Sequence, residues 1–194
     1  MLMNIYIENF RTHQLDGETD KSAIHRLQIA LLHQTLTSAG LLCESTRDAL
    51  LQKRTPAGKP YLPDFPDFHY NFSDSGDYLV LAVSLDGSIG IDLQKITPIH
   101  GGVMKLAQCF FHPQDVALLQ ACHSEEEQQS LFFRIWSVKE SYLKCTGEGL
   151  PGGPDRFPVD FEHGQIADHS FQELTPPEAG YVLCVCTRHR IEAD

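Results

Sequence analysis

Phe132-Phe133-Arg134-Ile135-Trp136-Ser137-Val138-Lys139-Glu140-Ser141-Tyr142-Leu143-Lys144 has the apolar spacing of a helix. At about 100° per residue, Leu131, Ile135, Val138 and Tyr142 fall on one side and form a core stripe. Glu140 lies opposite, and Lys144 sits one turn further along on the same side. An ordinary amphipathic helix is wholly polar there, but here Phe133 and Trp136 flank Glu140. Glu140 and Lys144 are therefore expected beneath a second layer of protein or ligand. A carboxylate and an amine on a half-covered face can do chemistry. The same two residues can equally form an i,i+4 ion pair on a solvated face, worth about 0.2–0.5 kcal/mol.

The surrounding chain sets the class. Its 194 residues suit one large domain or two small ones with ample core. A hydrophobic fraction of 42% and a charged fraction of 21% are those of a soluble globular protein. The formal net charge of −11 argues against a general nucleic-acid or anionic-membrane binder, whose affinity comes from Lys and Arg meeting phosphates. It leaves room for an anionic small ligand in a local basic pocket. Residues 1–10 lack a basic n-region and a long apolar core, so no signal peptide is read there, and no apolar run approaches a membrane span. Six scattered cysteines without a CxxC fit reduced thiols in a cytoplasmic protein. Cys184 and Cys186, two apart in an apolar run, are expected on one core face of a strand. Ten histidines show no HExxH pair, so zinc is not expected.

In chain order, residues 2–9 read as a strand and residues 22–37 as a helix, with Gly40 just past its end. Residues 53–63, rich in Pro and Gly, read as a turn or edge strand. Lys53, Arg54 and Lys59 make that segment basic, which suits an anion site as well as a solvated charge run. His69-Tyr70-Asn71-Phe72 alternates into Ser73-Asp74-Ser75-Gly76, a strand ending in a turn that can hold a phosphate or simply close. Residues 78–85 form an apolar run, a fully buried strand. Asp86-Gly87 signals a hairpin to the strand at 89–94. There Ile89, Ile91 and Leu93 face one way, and Gly90, Asp92 and Gln94 the other. Gly90 leaves space beside Asp92, and two side-chain oxygens at i,i+2 suit a hard cation such as Mg²⁺. A polar, solvated strand face has the same pattern. Thr97 to Gly102 breaks the periodicity and sets an expected division into residues 1–97 and 98–194. Helices follow at 103–111 and from His112 through Leu119. The long helix opens on Glu125-Glu126-Glu127 and ends before a Gly/Pro loop. Strands are expected at 157–161 and 181–187, and the tail from Arg188 is polar.

Three pieces stand in a particular order. They are Gly58-Lys59-Pro60 with Asn71-Phe72-Ser73, then Gly90-Ile91-Asp92-Leu93-Gln94, then Trp136-Ser137-Val138-Lys139-Glu140-Ser141-Tyr142-Leu143-Lys144. From about Lys53 to Gly149 this resembles the surfactin-synthetase-type 4′-phosphopantetheinyl transferases, and the WxxKExxxK piece downstream of GxDxx is its most specific part. The resemblance implies an α+β fold of two similar halves. Each would be a helix on a small antiparallel sheet, with a ligand cleft between them. It implies transfer of the phosphopantetheine arm of coenzyme A to a serine of an apo carrier protein, with Mg²⁺ as cofactor and 3′,5′-ADP released. It implies Asp92, Gln94 and Glu140 at the metal and Lys144 near the α-phosphate. Arg54, Lys59, Ser73 and Ser75 would lie along the coenzyme phosphates, and Asp115 would be a candidate base beside Glu140 and Lys144 in catalysis. A monomer is expected.

Two positions depart from the family pattern. Relatives often carry Glu where this chain has Gln94, a neutral oxygen ligand that removes one negative charge from the site. They usually carry His where this chain has Asp74, a carboxylate that would repel the 3′-phosphate. A relative that binds coenzyme A or a carrier protein without efficient transfer is the alternative reading.

Overall fold

The computed structural model describes residues 3–42 and 50–188. Its elements are β1 (Met3–Asn9), α1 (Asp20–Ser38), β2 (Lys53–Arg54), β3 (Pro60–Tyr61), β4 (His69–Ser75), β5 (Tyr78–Ser84), β6 (Ile89–Lys95), α2 (Val103–Phe110), α3 (Pro113–Gln120), α4 (Glu125–Thr146), β7 (Val159–Asp160), β8 (Gln165–Ile166), β9 (His169–Leu174) and β10 (Tyr181–Thr187). One antiparallel sheet has the order β1-β5-β4, and a second, also antiparallel, has the order β6-β10-β9-β8-β7. The basic segment folds as a small β2–β3 hairpin. The α+β class expected from sequence is the observed one.

Side-chain alternation stacks these sheets. Leu79, Leu81 and Val83 of β5 meet Leu27, Leu31 and Leu36 of α1. Val80 and Ala82 point the other way, onto Ile89, Ile91 and Leu93 of β6 and Leu183 and Val185 of β10. Cys184 and Cys186, on the opposite face of β10, pack beneath Ile135, Val138 and Tyr142 of α4. The layers therefore run helix, sheet, sheet, helix.

The hairpin expected at Asp86-Gly87 does not form. β5 already pairs with β1 on one edge and β4 on the other, so no edge remains for β6. The chain crosses instead to the second sheet, where β6 pairs with β10 from Ile89↔Thr187 to Lys95↔Tyr181. The change of sheet thus falls between Ser84 and Ile89, upstream of the break expected at residues 97/98. Strand β4 also runs through Ser75, so Ser73 and Asp74 lie in the strand and Gly76-Asp77 makes the turn. Strands β8 and β9 were not expected. The polar tail from residue 189 and Cys43 lie outside the described residues. The five described cysteines are free.

Helix α4 is set at both ends. Ser124 Oγ accepts from Glu127 N, and Glu127 Oε2 accepts from His123 N, a reciprocal N-terminal cap. Gly147, at φ 76°, closes the C-terminus in the left-handed region. The expected stripe is too narrow: besides Ile135, Val138 and Tyr142, the helix buries Phe132, Phe133, Ser137, Lys139, Ser141, Leu143 and Cys145.

Candidate active site

Glycine 90 brings the site together. A Cβ on Gly90 would lie 2.0 Å from Ser141 O and 2.4 Å from Cys145 N. The space that the sequence reserves beside Asp92 is therefore filled by the backbone of α4. Ser137 Oγ donates to Asp92 O (3.0 Å) and holds the helix to β6 at that register. The close approach carries Lys144 onto Asp92.

Asp92 is almost fully buried, and donors approach both of its oxygens. Lys144 Nζ lies 2.7 Å from Oδ1 and also donates to Ile91 O (3.1 Å) and Ser73 Oγ (2.9 Å). Gln94 Nε2 donates to Oδ2 (3.0 Å). Gln94 thus turns its amide nitrogen to Asp92, where a ligand role would turn its oxygen outward. Glu140 is half-buried on the same face. Burial raises its pKa, the negative charge of Asp92 raises it further, and Lys144 opposes both. Glu140 and Lys144 line a cleft of about 160 Å³ together with Gly58, Lys59, Asn71 and Gly147. Two carboxylates that feel each other's charge, one already carrying an ammonium, form a hard-oxygen pair suited to a cation. Among the described residues no group of three His, Cys, Asp or Glu side chains could hold a metal. Mg²⁺ needs fewer protein ligands, since it is commonly held by one or two carboxylates with water and substrate phosphate completing the shell.

Most residues expected along the coenzyme phosphates are engaged elsewhere. Lys59 Nζ donates to Cys145 O (2.6 Å), Ile89 O (3.2 Å) and Ser88 Oγ. All three ammonium donors are used, tying the end of α4 to the start of β6, and burial lowers the lysine pKa. Its stem lines the cleft, but its charge is not free for phosphate as expected. Ser73 and Ser75 face β6. Asn71 Oδ1, Ser73 Oγ and Ser75 Oγ accept from the backbone N–H of Ile91 (3.0 Å), Leu93 (3.2 Å) and Lys95 (3.0 Å). Alternate side chains of β4 thus stand in for a strand's carbonyls and join the edges of the two sheets. Asp74, between the two serines, is exposed on the opposite face of β4. Arg54 remains exposed; its Nη1 donates to Gly58 O (2.8 Å), and a guanidinium has further N–H groups to offer an anion.

Asp115 is not a base that a substrate can reach. It is fully buried, its Oδ1 accepts from Val159 N (2.9 Å), and its Oδ2 lies 2.7 Å from Lys139 Nζ. Lys139 also donates to Phe157 O (2.7 Å), so the pair pins α3, α4 and the loop before β7 together. The sequence reading left Lys139 unassigned. Its signal was spacing: four residues after Ile135 and three before Tyr142, it lies on the core stripe.

A family model described as the 4′-phosphopantetheinyl transferase superfamily matches residues 88–186. The chain belongs to this superfamily. The matched stretch contains Asp92, Gln94, Asp115, Glu140 and Lys144, whereas Arg54, Lys59, Ser73 and Ser75 precede it. The chain is 38% identical over 140 residues to a Bacillus subtilis 4′-phosphopantetheinyl transferase, covering 68% of this chain and 60% of that one. It is 38% identical over 196 residues to the 4′-phosphopantetheinyl transferase gsp of Aneurinibacillus migulanus, covering 94% and 80%. It is 31% identical over 134 residues to the L-aminoadipate-semialdehyde dehydrogenase-phosphopantetheinyl transferase of Xenopus laevis, covering 61% and 44%. The chain spans about 60% of the length of the Bacillus relatives it matches.

Proposed function

We propose that the protein transfers the 4′-phosphopantetheine arm of coenzyme A to a serine of an apo carrier protein. The serine oxygen forms a bond to the phosphorus that bears the pantetheine. The bond from that phosphorus to the bridging pyrophosphate oxygen breaks, and 3′,5′-ADP leaves. The observation that supports this best is the Asp92–Lys144 pair with Glu140 beside it: Glu140 and Lys144 line the cleft, and all three residues fall in the stretch that matches the family.

Asp92 and Glu140 would hold Mg²⁺, with Gln94 able to join after its amide turns. Bound there, Mg²⁺ would neutralise charge on the pyrophosphate. Lys144 supplies an ammonium for the charge that grows on the leaving phosphate. Glu140 would take the serine proton through a water that passes its own proton on to the carboxylate. Arg54, exposed at the β2–β3 hairpin, meets the coenzyme's outer phosphate. No helix among the described residues is long and apolar enough to cross a membrane. A monomer suffices, since every proposed group comes from one chain.

Gln94 favours a second reading, a relative that binds coenzyme A or a carrier protein without efficient transfer. Its amide donates to Asp92 where a carboxylate would add charge. One experiment separates the two. Apo carrier proteins of fatty-acid, polyketide and peptide synthases are incubated with the protein, coenzyme A and Mg²⁺, and intact masses are recorded. A carrier should gain the mass of a phosphopantetheinyl group. Coenzyme binding without any mass gain, across all the carriers, would select the second reading.

A further inference from the structure

Ser73 makes the full set of hydrogen bonds that a hydroxyl can make. Leu93 N and Lys144 Nζ can only donate, so the hydroxyl oxygen accepts from both, at 3.2 and 2.9 Å. Its single proton then goes to Asp92 Oδ1, at 3.1 Å. The residue is buried. One hydroxyl therefore touches the carboxylate proposed for the cation, the lysine proposed for the leaving phosphate, and the backbone that carries the carboxylate. Its neighbours on the same face, Asn71 and Ser75, make the corresponding bond to β6, at Ile91 N and Lys95 N. Ser73 alone of the three also reaches Asp92 and Lys144.

We propose that Ser73 is a positioning residue: its hydroxyl, turned inward from the coenzyme phosphates, fixes the rotation of the Asp92 carboxylate and holds the Lys144 ammonium beside it. This rests on the reading of Asp92 as a cation ligand. Hydrogen bonds that orient a ligating carboxylate matter through the ligand they hold, and losing one costs roughly 10–100-fold in metal affinity or activity. A phosphate contact would behave differently, because its loss falls on coenzyme binding.

The test compares wild type with Ser73→Ala, Ser73→Thr and Asp92→Asn. Mn²⁺ binding is titrated by electron paramagnetic resonance, with and without coenzyme A, and transfer kinetics are measured with coenzyme A varied. Ser73→Ala should weaken Mn²⁺ by about tenfold and lower kcat by a similar factor, while KM for coenzyme A changes less than twofold. Ser73→Thr, which keeps the hydroxyl, should recover most of both. Should Ser73→Ala not fold, Ser73→Cys carries the comparison, since a thiol is a weaker donor and acceptor and the same shifts should appear. Unchanged Mn²⁺ affinity and kcat with a raised coenzyme A KM would overturn the proposal and make Ser73 a phosphate contact. Mn²⁺ affinity unaffected by Asp92→Asn, or no Mn²⁺ binding by wild type even with coenzyme A, would overturn the cation reading itself and this proposal with it.

Discussion

Five residues apart on α4, Lys139 and Lys144 each place an ammonium 2.7 Å from an aspartate oxygen. The side chains of Lys139 and Asp115 are 1% and 0% exposed; those of Lys144 and Asp92 are 26% and 2%. Five residues turn the helix by about 500°, so the two lysines point to different sides. Lys139 goes into the dry contact with α3 and the loop before β7, and burial lowers its pKa against the pull of Asp115. Lys144 lines the cleft, together with Glu140. Equal distances therefore conceal different uses. The dry pair has no access to a ligand, and its value lies in where it fixes α3 and α4. The cleft pair can exchange partners, because water and a substrate can reach the lysine.

The largest expected effect is at the cleft. Glu140→Gln should lower transfer about a thousandfold or more, as several kcal/mol of charge stabilisation at a metal site is lost, while circular dichroism stays that of wild type. A near-normal initial rate at saturating coenzyme A would remove Glu140 from the site. The dry pair should respond in stability. Lys139→Met leaves Asp115 without its counter-charge and should destabilise the fold by about 3–5 kcal/mol, read from urea unfolding. Adding Asp115→Leu to Lys139→Met should recover part of that loss; a double variant as unstable as the sum of the singles would show that the two residues are not coupled.

Smaller effects sharpen the contrast. Lys144→Ala should reduce kcat by about a hundredfold, as loss of one donor to a developing charge does at its milder end, with a lesser change in coenzyme Kd. A rate fully restored by excess coenzyme A would make Lys144 a binding residue only. Gln94→Glu should lower the Mg²⁺ concentration for half-maximal rate, since a carboxylate replaces an amide that now donates to Asp92. An unchanged requirement would place position 94 outside the cation's reach.

Much of this site was legible because residue type and spacing act locally. The helical stripe, the acidic start of α4 and the alternation in β6 put Glu140, Lys144 and Asp92 on the faces where the structure has them. What failed depended on partners far along the chain. Asp86-Gly87 carries a hairpin signal, but β1 and β4 already occupy both edges of β5. Gly90 signalled close approach correctly, yet what approaches is the backbone of α4. Ser73 and Ser75 have phosphate-binding chemistry, and the free edge of β6 uses it. Lys59 looked like an anion ligand, and Cys145 O at the end of α4, Ile89 O at the start of β6 and Ser88 Oγ take its donors. Strand β9 hid because His169-Ser170 and Gln172-Glu173 dilute the apolar pattern, and β8 because it is only two residues long, Gln165 and Ile166.

The central claim is that the cleft pair belongs to the chemistry and the dry pair to the fold. Transfer per folded molecule, measured on an apo carrier for Asp92→Asn and Asp115→Asn beside their urea unfolding curves, tests it most directly. Asp92→Asn should unfold close to the wild-type midpoint and transfer almost nothing, because Lys144 stays partly solvated without its partner. Asp115→Asn should unfold at markedly lower urea yet keep most of its transfer for each molecule that remains folded. A stable Asp115→Asn without transfer, or an Asp92→Asn that transfers normally, would contradict the account.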